Sequence, residues 1–464
     1  MTAPHIAVVG GGISGLAAAH RLRTLLGPDA RITVLEQRDR LGGVLRTVDL
    51  AGVPFDVGAE AFLARRPEVL ALSAELGLSE LLVHPTRTAA TIRAAGRTGP
   101  LPGGTLLGVP TSAARLDALL SPRGAAAVAA EPRTPLHWTA GVDVALGALL
   151  RERLGDEPVD RLVDPLLGGV YAGRVDTLGL RATIPALAAA LDAGAPSLTG
   201  AADRATTGAP AAGGPVFGAV RGGYRVLVDA LAAASRAQVR LGTTVRAVER
   251  HSGGWRLLLG PTTAPEALDV DAVLLAVPAP AVARLLAPIA PGAARAAGGI
   301  ELASSVVVAL AFRAEDAASL PPTSGALIAA GEPLTVKGVT HSSNKWAHLA
   351  SDGLVRLRAS LGRFGEAATL QVDDAEIVAR VRADLAVLTG VAAEPVAVHV
   401  QRWGGGLPQY AVGHLDRVAA VEAGLPAGLA VAGSALHGVG VPACVATARS
   451  AAELIAAQTG ARQD

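Results

Sequence analysis

The chain has 464 residues, half of them hydrophobic but only 3% aromatic, and a formal net charge of +1. That length accommodates two or three domains with substantial cores, and a near-zero charge without a basic tail or acidic run excludes nucleic acid as an expected partner. A single cysteine, Cys444, excludes intramolecular disulfides and any cysteine-rich metal or iron–sulfur centre, and no metal site is expected.

The first strand starts within a few residues of Met1, with no charged and apolar leader ahead of it. No unbroken apolar run reaches the ~18 residues of a spanning helix. The expectation is a cytoplasmic protein with at most peripheral membrane contact. Of 41 Lys and Arg, only Lys337 and Lys345 are lysine, a bias that reads as high-GC coding rather than as a functional signal.

HIAVVGGGISGLAAAHRL followed by RITVLEQRDRLGGVLRT reads as strand, glycine turn, helix, strand and acid. Gly10, Gly12 and Gly15 form G-x-G-x-x-G between an apolar run and an Ala/Leu-rich helix, with Gly11, Ile13 and Ser14 in the same turn. The first glycine permits the tight turn, the second lets backbone approach a pyrophosphate, and the third lets helix pack on strand. The phosphates would lie against unpaired N–H groups at the positive end of the helix. Glu36, beside Gln37, stands about 20 residues further on, where a carboxylate can accept from a ribose. The doublet Gly42-Gly43 adds a second place of close backbone approach, and Arg40 carries a guanidinium within reach of a phosphate or ribose.

Arg65 and Arg66 precede the expected helix PEVLALSAELGL and are either a solvated helix start or a clamp for carboxylates. Residues 136–167 have helical periodicity, and a helix is expected to end at Gly168-Gly169 before an irregular turn carrying Tyr171. Residues 194–215, rich in Gly, Ala, Pro, Ser and Thr, read as a flexible linker. VRLGTTVRAVERHSGGWRLLL reads as strands with a hairpin at Ser252-Gly253-Gly254, and VDAVLLAVP as a returning strand. SSVVVALAF, KGVTHSSNKWAHLA and LVRLRASLG indicate a mixed or antiparallel sheet. DDAEIVARVRADLAVLTG is a capped helix. Last, a strand delivers Ala432-Gly433, a glycine loop follows, and a helix begins near Pro442, with Cys444 buried inside it as a small hydrophobe.

The doublet with Thr47 and FDVGAE (Gly58, Ala59, Glu60) resembles the flavin-containing amine oxidase superfamily, although Val44 departs from the basic residue often found after the doublet. Four later segments, DPLLGGVYAGRVDTLGLRATIPAL, KGVTHSSNKWAHLA, RWGGGLPQYAVGH and AGSALHGVGVPACVATA, resemble its HemY-type protoporphyrinogen and coproporphyrinogen oxidases. Residues 124–135 have no counterpart there and are expected to be disordered. The resemblance implies an α/β fold: a Rossmann-like FAD-binding domain of the two-dinucleotide-binding-domain type (1–65, 222–283, 420–464), a mixed-sheet substrate domain (66–86, 190–221, 284–419) and an inserted α-helical subdomain (87–189). It implies FAD as cofactor, with backbone near Val245 at the adenine and Gly433, Val439, Gly440 and Val441 at the flavin.

It further implies a six-electron oxidation of coproporphyrinogen III in heme biosynthesis, with dioxygen as acceptor and hydrogen peroxide as by-product. Transient contact with other heme-pathway enzymes is compatible with that role. The flavin carries the chemistry, and no catalytic side chain is expected. Arg65, Arg66, Tyr171, Arg181, Lys345 and Arg402 are candidates for the substrate's carboxylates, with Asn344, Tyr410 and His414 as polar lining. Protoporphyrinogen IX is the alternative substrate. An amine oxidase would place an aromatic pair near the C-terminal flavin loop, which GSALHGVGVPAC does not offer. A non-catalytic prenyl-binding escort would lack flavin.

Overall fold

The computed structural model describes residues 3–207, 214–350 and 352–460. At its centre β1 (His5–Val9) is buried along its whole length, followed by helix α1 (Ile13–Leu26) and β2 (Arg31–Leu35). β1 is the middle strand of a five-stranded sheet ordered Gln238–Arg240, β2, β1, Ala272–Leu275, Leu429–Val431, and every pairing is parallel. A parallel sheet is covered on both faces, so its strands are continuous apolar runs rather than alternating ones. Here α1, Arg225–Ser235 and Val441–Gly460 cover one face through Leu16, Leu22, Leu231, Val445 and Ile455. On the other, Trp255 and Leu257 of a three-stranded antiparallel sheet pack with Val282 and Leu285. The hairpin at Ser252-Gly253-Gly254 is present, with Gly253 at φ 80°.

A second sheet of seven strands runs Ala397–Pro408, Leu302–Arg313, Leu354–Leu361, Val336–His341, Gly325–Ile328, Ala90–Ala94, Arg97–Pro100. It is mixed, because Gly325–Ile328 pairs parallel with Ala90–Ala94 while its other ladders are antiparallel. One face is closed by Asp374–Thr389, whose Ile377, Val381 and Leu385 pack on Val306, Val308 and Leu310. That helix carries the capping Asp373, whose carboxylate accepts from the Glu376 N–H. The opposite face borders the cavity described below.

A helical layer with fully buried Leu150, Leu162, Leu167 and Leu187 forms the third part. Its bounds differ from 87–189: Ala90–Ala94 and Arg97–Pro100 belong to the large sheet, and the layer continues through Leu198–Thr207. The segment read as a linker is thus partly a helix, because Ala201 and Ala202 bury against the helical core where composition alone suggested a loop; residues 208–213 lie outside the described residues. The helix expected to end at Gly168-Gly169 instead runs Asp164–Tyr171 and stops where Ala172 turns left-handed, at φ 49°. Its glycines are tolerated because the helix packs close to its neighbours: a Cβ on Gly168 would lie 3.3 Å from the Gly173 carbonyl.

Residues 124–135 are ordered, contrary to expectation, as the helix Pro122–Ala130 and the turn Glu131–Arg133. Their anchor is Glu131, whose carboxylate accepts from the Leu198 and Thr199 N–H groups at 2.8 and 3.0 Å and from Arg153 at 2.7 Å. Both side chains are inaccessible, Glu131 at 0% and Arg153 at 5% exposure. Burial acts to raise the Glu131 pKa, but hydrogen bonds from Thr199, Arg153 and Leu198 outweigh it and hold the group below the ordinary 4.5. Stabilisation from a depressed carboxyl is complete above its unfolded pKa and is lost as pH falls through the folded one. Glu131→Ala should therefore cost about 3–5 kcal/mol in urea unfolding at neutral pH, by stranding Arg153, and should flatten the acid limb of the stability curve.

Candidate functional site

A cavity of about 1320 Å³ lies at the carboxyl ends of the parallel strands and extends across the open face of the seven-stranded sheet. Ligand pockets commonly span about 300–1,000 Å³, so this one has room for a dinucleotide and a second molecule. Its near end is lined by Gly10, Gly12, Ile13, Ser14, Glu36, Gln37, Gly42, Gly43 and Val245, its far end by Leu101, Leu166, Val170 and Leu327.

The glycines of the turn divide by what a side chain would meet. A Cβ on Gly10, held at φ 107°, would overlap the Ala276 carbonyl, and one on Gly15 would overlap the Gly10 carbonyl. Both serve the protein's own packing. A Cβ on Gly12 finds nothing nearer than the Gly43 Cα at 3.8 Å, so its bareness serves whatever occupies the cavity. Gly12 is also the first cap of α1 and supplies no side-chain acceptor, which leaves the first-turn N–H groups directed at the cavity. The Glu36 carboxylate, 7% exposed, accepts from the Gly11 N–H at 2.7 Å and the Arg38 N–H at 2.9 Å. This cradle suits a pyrophosphate and a ribose.

Several expected contacts act from behind the wall. Arg40 does not line the cavity; it donates to the Leu41 and Gly43 carbonyls at 3.1 and 2.9 Å, fixing the doublet's turn. Gly42 in turn donates its N–H to the Gly11 carbonyl at 2.8 Å. Thr47 also lies outside the lining, donating to Asp56 at 2.5 Å and accepting from the Arg225 N–H at 3.0 Å. Burial pushes the Asp56 carboxyl up to about 7. Gly58 and Ala59 face the cavity, whereas Glu60 is turned to Lys345 at 2.7 Å and Trp346 Nε1 at 3.1 Å. Burial opposes ionisation of Glu60, but the charges of Lys345 and Arg358 prevail and keep its pKa below the usual value.

The C-terminal loop delivers Gly433, Val439, Gly440 and Val441 to the lining, and the helix Val441–Gly460 starts there with Pro442 in its first turn. Tyr410 and His414 hold this loop by its backbone. The Tyr410 hydroxyl donates to the Ser434 carbonyl and accepts from the Gly438 N–H, both at 2.7 Å. Its ring stacks on His414 with centroids 3.8 Å apart, and His414 Nε2 bonds the Leu436 carbonyl at 2.9 Å. Tyr171 packs behind, 5.4 Å from the Tyr410 ring, where burial raises its pKa to about 12. The Pro-Gln-Tyr-x-x-Gly-His string is thus a clamp on the loop rather than polar lining.

Of the nine residues expected to meet substrate, Lys345 alone lines the cavity among the described residues. Arg65 is exposed, and Arg66 pairs with Glu68. Arg181 pairs with Asp192 at 2.8 Å and donates to the Val142 carbonyl; Arg402 pairs with Asp374. Asn344 donates to the Pro321 and Thr323 carbonyls at 3.1 and 3.0 Å. Arg66, Arg181, Arg402 and Asn344 are thus satisfied by the protein. The other cations that line the cavity, Arg38, Arg87, Arg284, Lys337 and Arg358, escaped the sequence reading. The signal for Lys337 was there, as one of only two lysines in an arginine-rich chain.

The pattern shared by the Flavin containing amine oxidoreductase family matches residues 13–456. The chain belongs to that family. FAD is its cofactor, and this family member's cradle fits the dinucleotide. A coproporphyrinogen III oxidase of Mycobacterium leprae is 48% identical over 458 residues, covering 99% of each chain. One from Propionibacterium freudenreichii is 36% identical, covering 97% of this chain and 90% of its own. The crystal structure of a candidate protoporphyrinogen oxidase from Exiguobacterium sp. 255-15 superposes with a TM-score of 0.85 at 32% identity, covering 99% of this chain and 100% of that one.

Three substitutions test the geometry. Gly12→Ala should fold with an unchanged melting temperature yet lose FAD affinity about 10–100-fold, since the overpacking falls on the ligand; Gly15→Ala should fail to fold. Tyr410→Phe strands the Gly438 N–H at a cost of about 1–3 kcal/mol, and flavin titration of the apoprotein should show weakened binding.

Proposed function

We propose that this flavoprotein oxidises coproporphyrinogen III to coproporphyrin III in the cytoplasm, as a step of heme formation. The observation that carries the reading is the continuity of the glycine cradle with a second chamber whose walls are apolar and whose cations are Lys337, Lys345, Arg87 and Arg358. A cyclic tetrapyrrole is an apolar disc with carboxylates at its edge, and its chemistry matches that division. The whole-length similarity to proteins named for coproporphyrinogen III supports the same substrate.

Conversion of a porphyrinogen to a porphyrin removes six hydrogens as three two-electron oxidations; three dioxygen molecules accept them and leave as three hydrogen peroxides. Bound FAD supplies the two-electron acceptor for each step. The chain's own residues bind, orient and shield. Leu101, Leu166, Val170 and Leu327 form the apolar wall that holds a ring system and excludes water, and Trp403 with Gly404, Gly405 and Gly406 forms another side of the lining. The amino end of Val441–Gly460 opens into the same cavity, where its partial positive charge stabilises developing negative charge. No side chain need act as a nucleophile. Among the described residues no helix is long and apolar enough to cross a membrane. Transient docking with neighbouring heme-pathway enzymes is compatible with delivery of a product this sparingly soluble.

Steady-state oxidation of both porphyrinogens, followed by porphyrin fluorescence and peroxide release, tests the reading. We expect kcat/KM for coproporphyrinogen III at least about tenfold above that for protoporphyrinogen IX, the scale that one recognised polar group provides. A clear preference for the divinyl substrate would reverse the assignment. Peroxide from polyamines without porphyrinogen turnover would replace it with an amine oxidase.

A further inference from the structure

The only two lysines of the chain both line this one cavity, and their circumstances differ. Lys345 is neutralised: Glu60 lies 2.7 Å from its Nζ, and its ammonium rests over the Trp346 and Phe217 rings. Lys337 is buried, at 7% exposure, and its Nζ donates at 2.8 Å to the Gly362 carbonyl. An ammonium carries three donors, and no carboxylate among the described residues stands within ion-pair distance of this one. Its charged surroundings are cationic, Arg363 and Arg358, opposed by the acid Glu366. Glu366 is already engaged by Arg174 at 3.4 Å and by the Arg363 N–H at 3.2 Å.

The backbone places this lysine by a specific device. In the ladder between Val336–His341 and Leu354–Leu361, Val336 pairs with Leu361 and Gly338 with Ser360, so Lys337 is the extra residue of a β-bulge. Bulges re-aim a side chain that regular alternation would send elsewhere. The neighbour Val336 serves the core beneath the sheet, while Lys337 joins Gly338, Val339, Arg358 and Ser360 in the cavity wall. Arg358 next to it donates Nη2 to the Gly58 carbonyl, and its Nε is buried without a partner. Burial and the two arginines push the Lys337 ammonium down to about 8. Buried positive charge without a counter-charge is costly, and the cost falls when an anion arrives.

Lys337 also stands apart from the other lysine. It is the second residue of a strand whose end, His341, lies about 13 Å away at ~3.3 Å per residue, and Lys345 follows beyond that end. A disc-shaped substrate therefore meets cations at two separated edges of the chamber. Resting on the porphyrinogen reading above, we infer that Lys337, with Arg358 beside it, forms a carboxylate subsite that takes a propionate at a ring edge where protoporphyrinogen IX carries vinyl groups. It is then a specificity-determining group, selecting the tetrapropionate over the dipropionate macrocycle.

The test uses the flavin-loaded full chain, with Lys337→Met and Lys337→Arg. Titration with coproporphyrin III should show binding weakened about 10–100-fold in the Met variant, the scale of a lost charge-assisted hydrogen bond. Protoporphyrin IX should bind within about twofold of wild type, and the Arg variant should recover most of the loss. The ratio of kcat/KM for the two porphyrinogens should fall by the same factor, through KM. Equal weakening of both porphyrins, or an unchanged ratio, overturns the subsite. Should the Met variant not fold, wild-type protein decides: with two lysines, acetylation is read site by site in a mass spectrum. Coproporphyrin III should protect Lys337 more than protoporphyrin IX does, and equal protection overturns the proposal. If wild type does not oxidise coproporphyrinogen III at all, the parent reading falls instead.

Discussion

The structure depends on backbone meeting backbone with no side chain between. At the head of the parallel sheet, the turn after β1 touches the loop after β2, where Gly12 bridges Gly42 and a Cβ on Gly43 would lie 3.1 Å from the Gly12 Cα. The same rule holds on either side: Gly58 sits against the Val44 carbonyl, and Gly10 against that of Ala276. These contacts bring four separate strand ends together at one end of the cavity. They are possible only for glycine, because a Cβ at any of the packed positions must displace main chain rather than a movable side chain. The cofactor site is therefore a product of chain packing first and of individual polar contacts second.

The distant polar residues follow the same logic. Tyr410, His414, Arg40 and Thr47 reach the cofactor region through carbonyls and N–H groups of the loops they hold, not through the cavity itself. A loop containing Gly433 at φ 136° and Gly438 at φ 145° has few conformations that satisfy its own amides, so outside hydrogen bonds fix its path. This explains how a distinctive string such as Pro-Gln-Tyr-x-x-Gly-His can be diagnostic of a function it does not perform directly.

That distinction also marks what was legible in the sequence. The βαβ unit, the returning strand at Ala272–Leu275 and the terminal helix were readable, because burial on both faces of a parallel sheet writes itself as apolar runs and a phosphate turn as spaced glycines. The order at residues 124–135 was not, since it rests on Glu131 meeting amides 67 and 68 positions away, a pairing with no local trace. Nor were the partners of Arg181 and Arg402, which are consumed by Asp192 and Asp374. An arginine string announces charge but not whether the fold has already neutralised it.

Neutralisation is what sorts the cations of this cavity. A paired charge such as Lys345 with Glu60 mainly supports its surroundings, because an incoming carboxylate would have to compete with one already 2.7 Å away. An unpaired one has its full attraction to give, and inside a wall of low polarity that attraction is stronger than at the surface. The bulge at Lys337 is informative for this reason: regular pairing would have been the easier way to continue the strand, and the irregularity places a buried ammonium in the cavity wall. Apolar walls admit any flat macrocycle of suitable size, so discrimination between rings that differ only in their edge groups must come from such isolated charges.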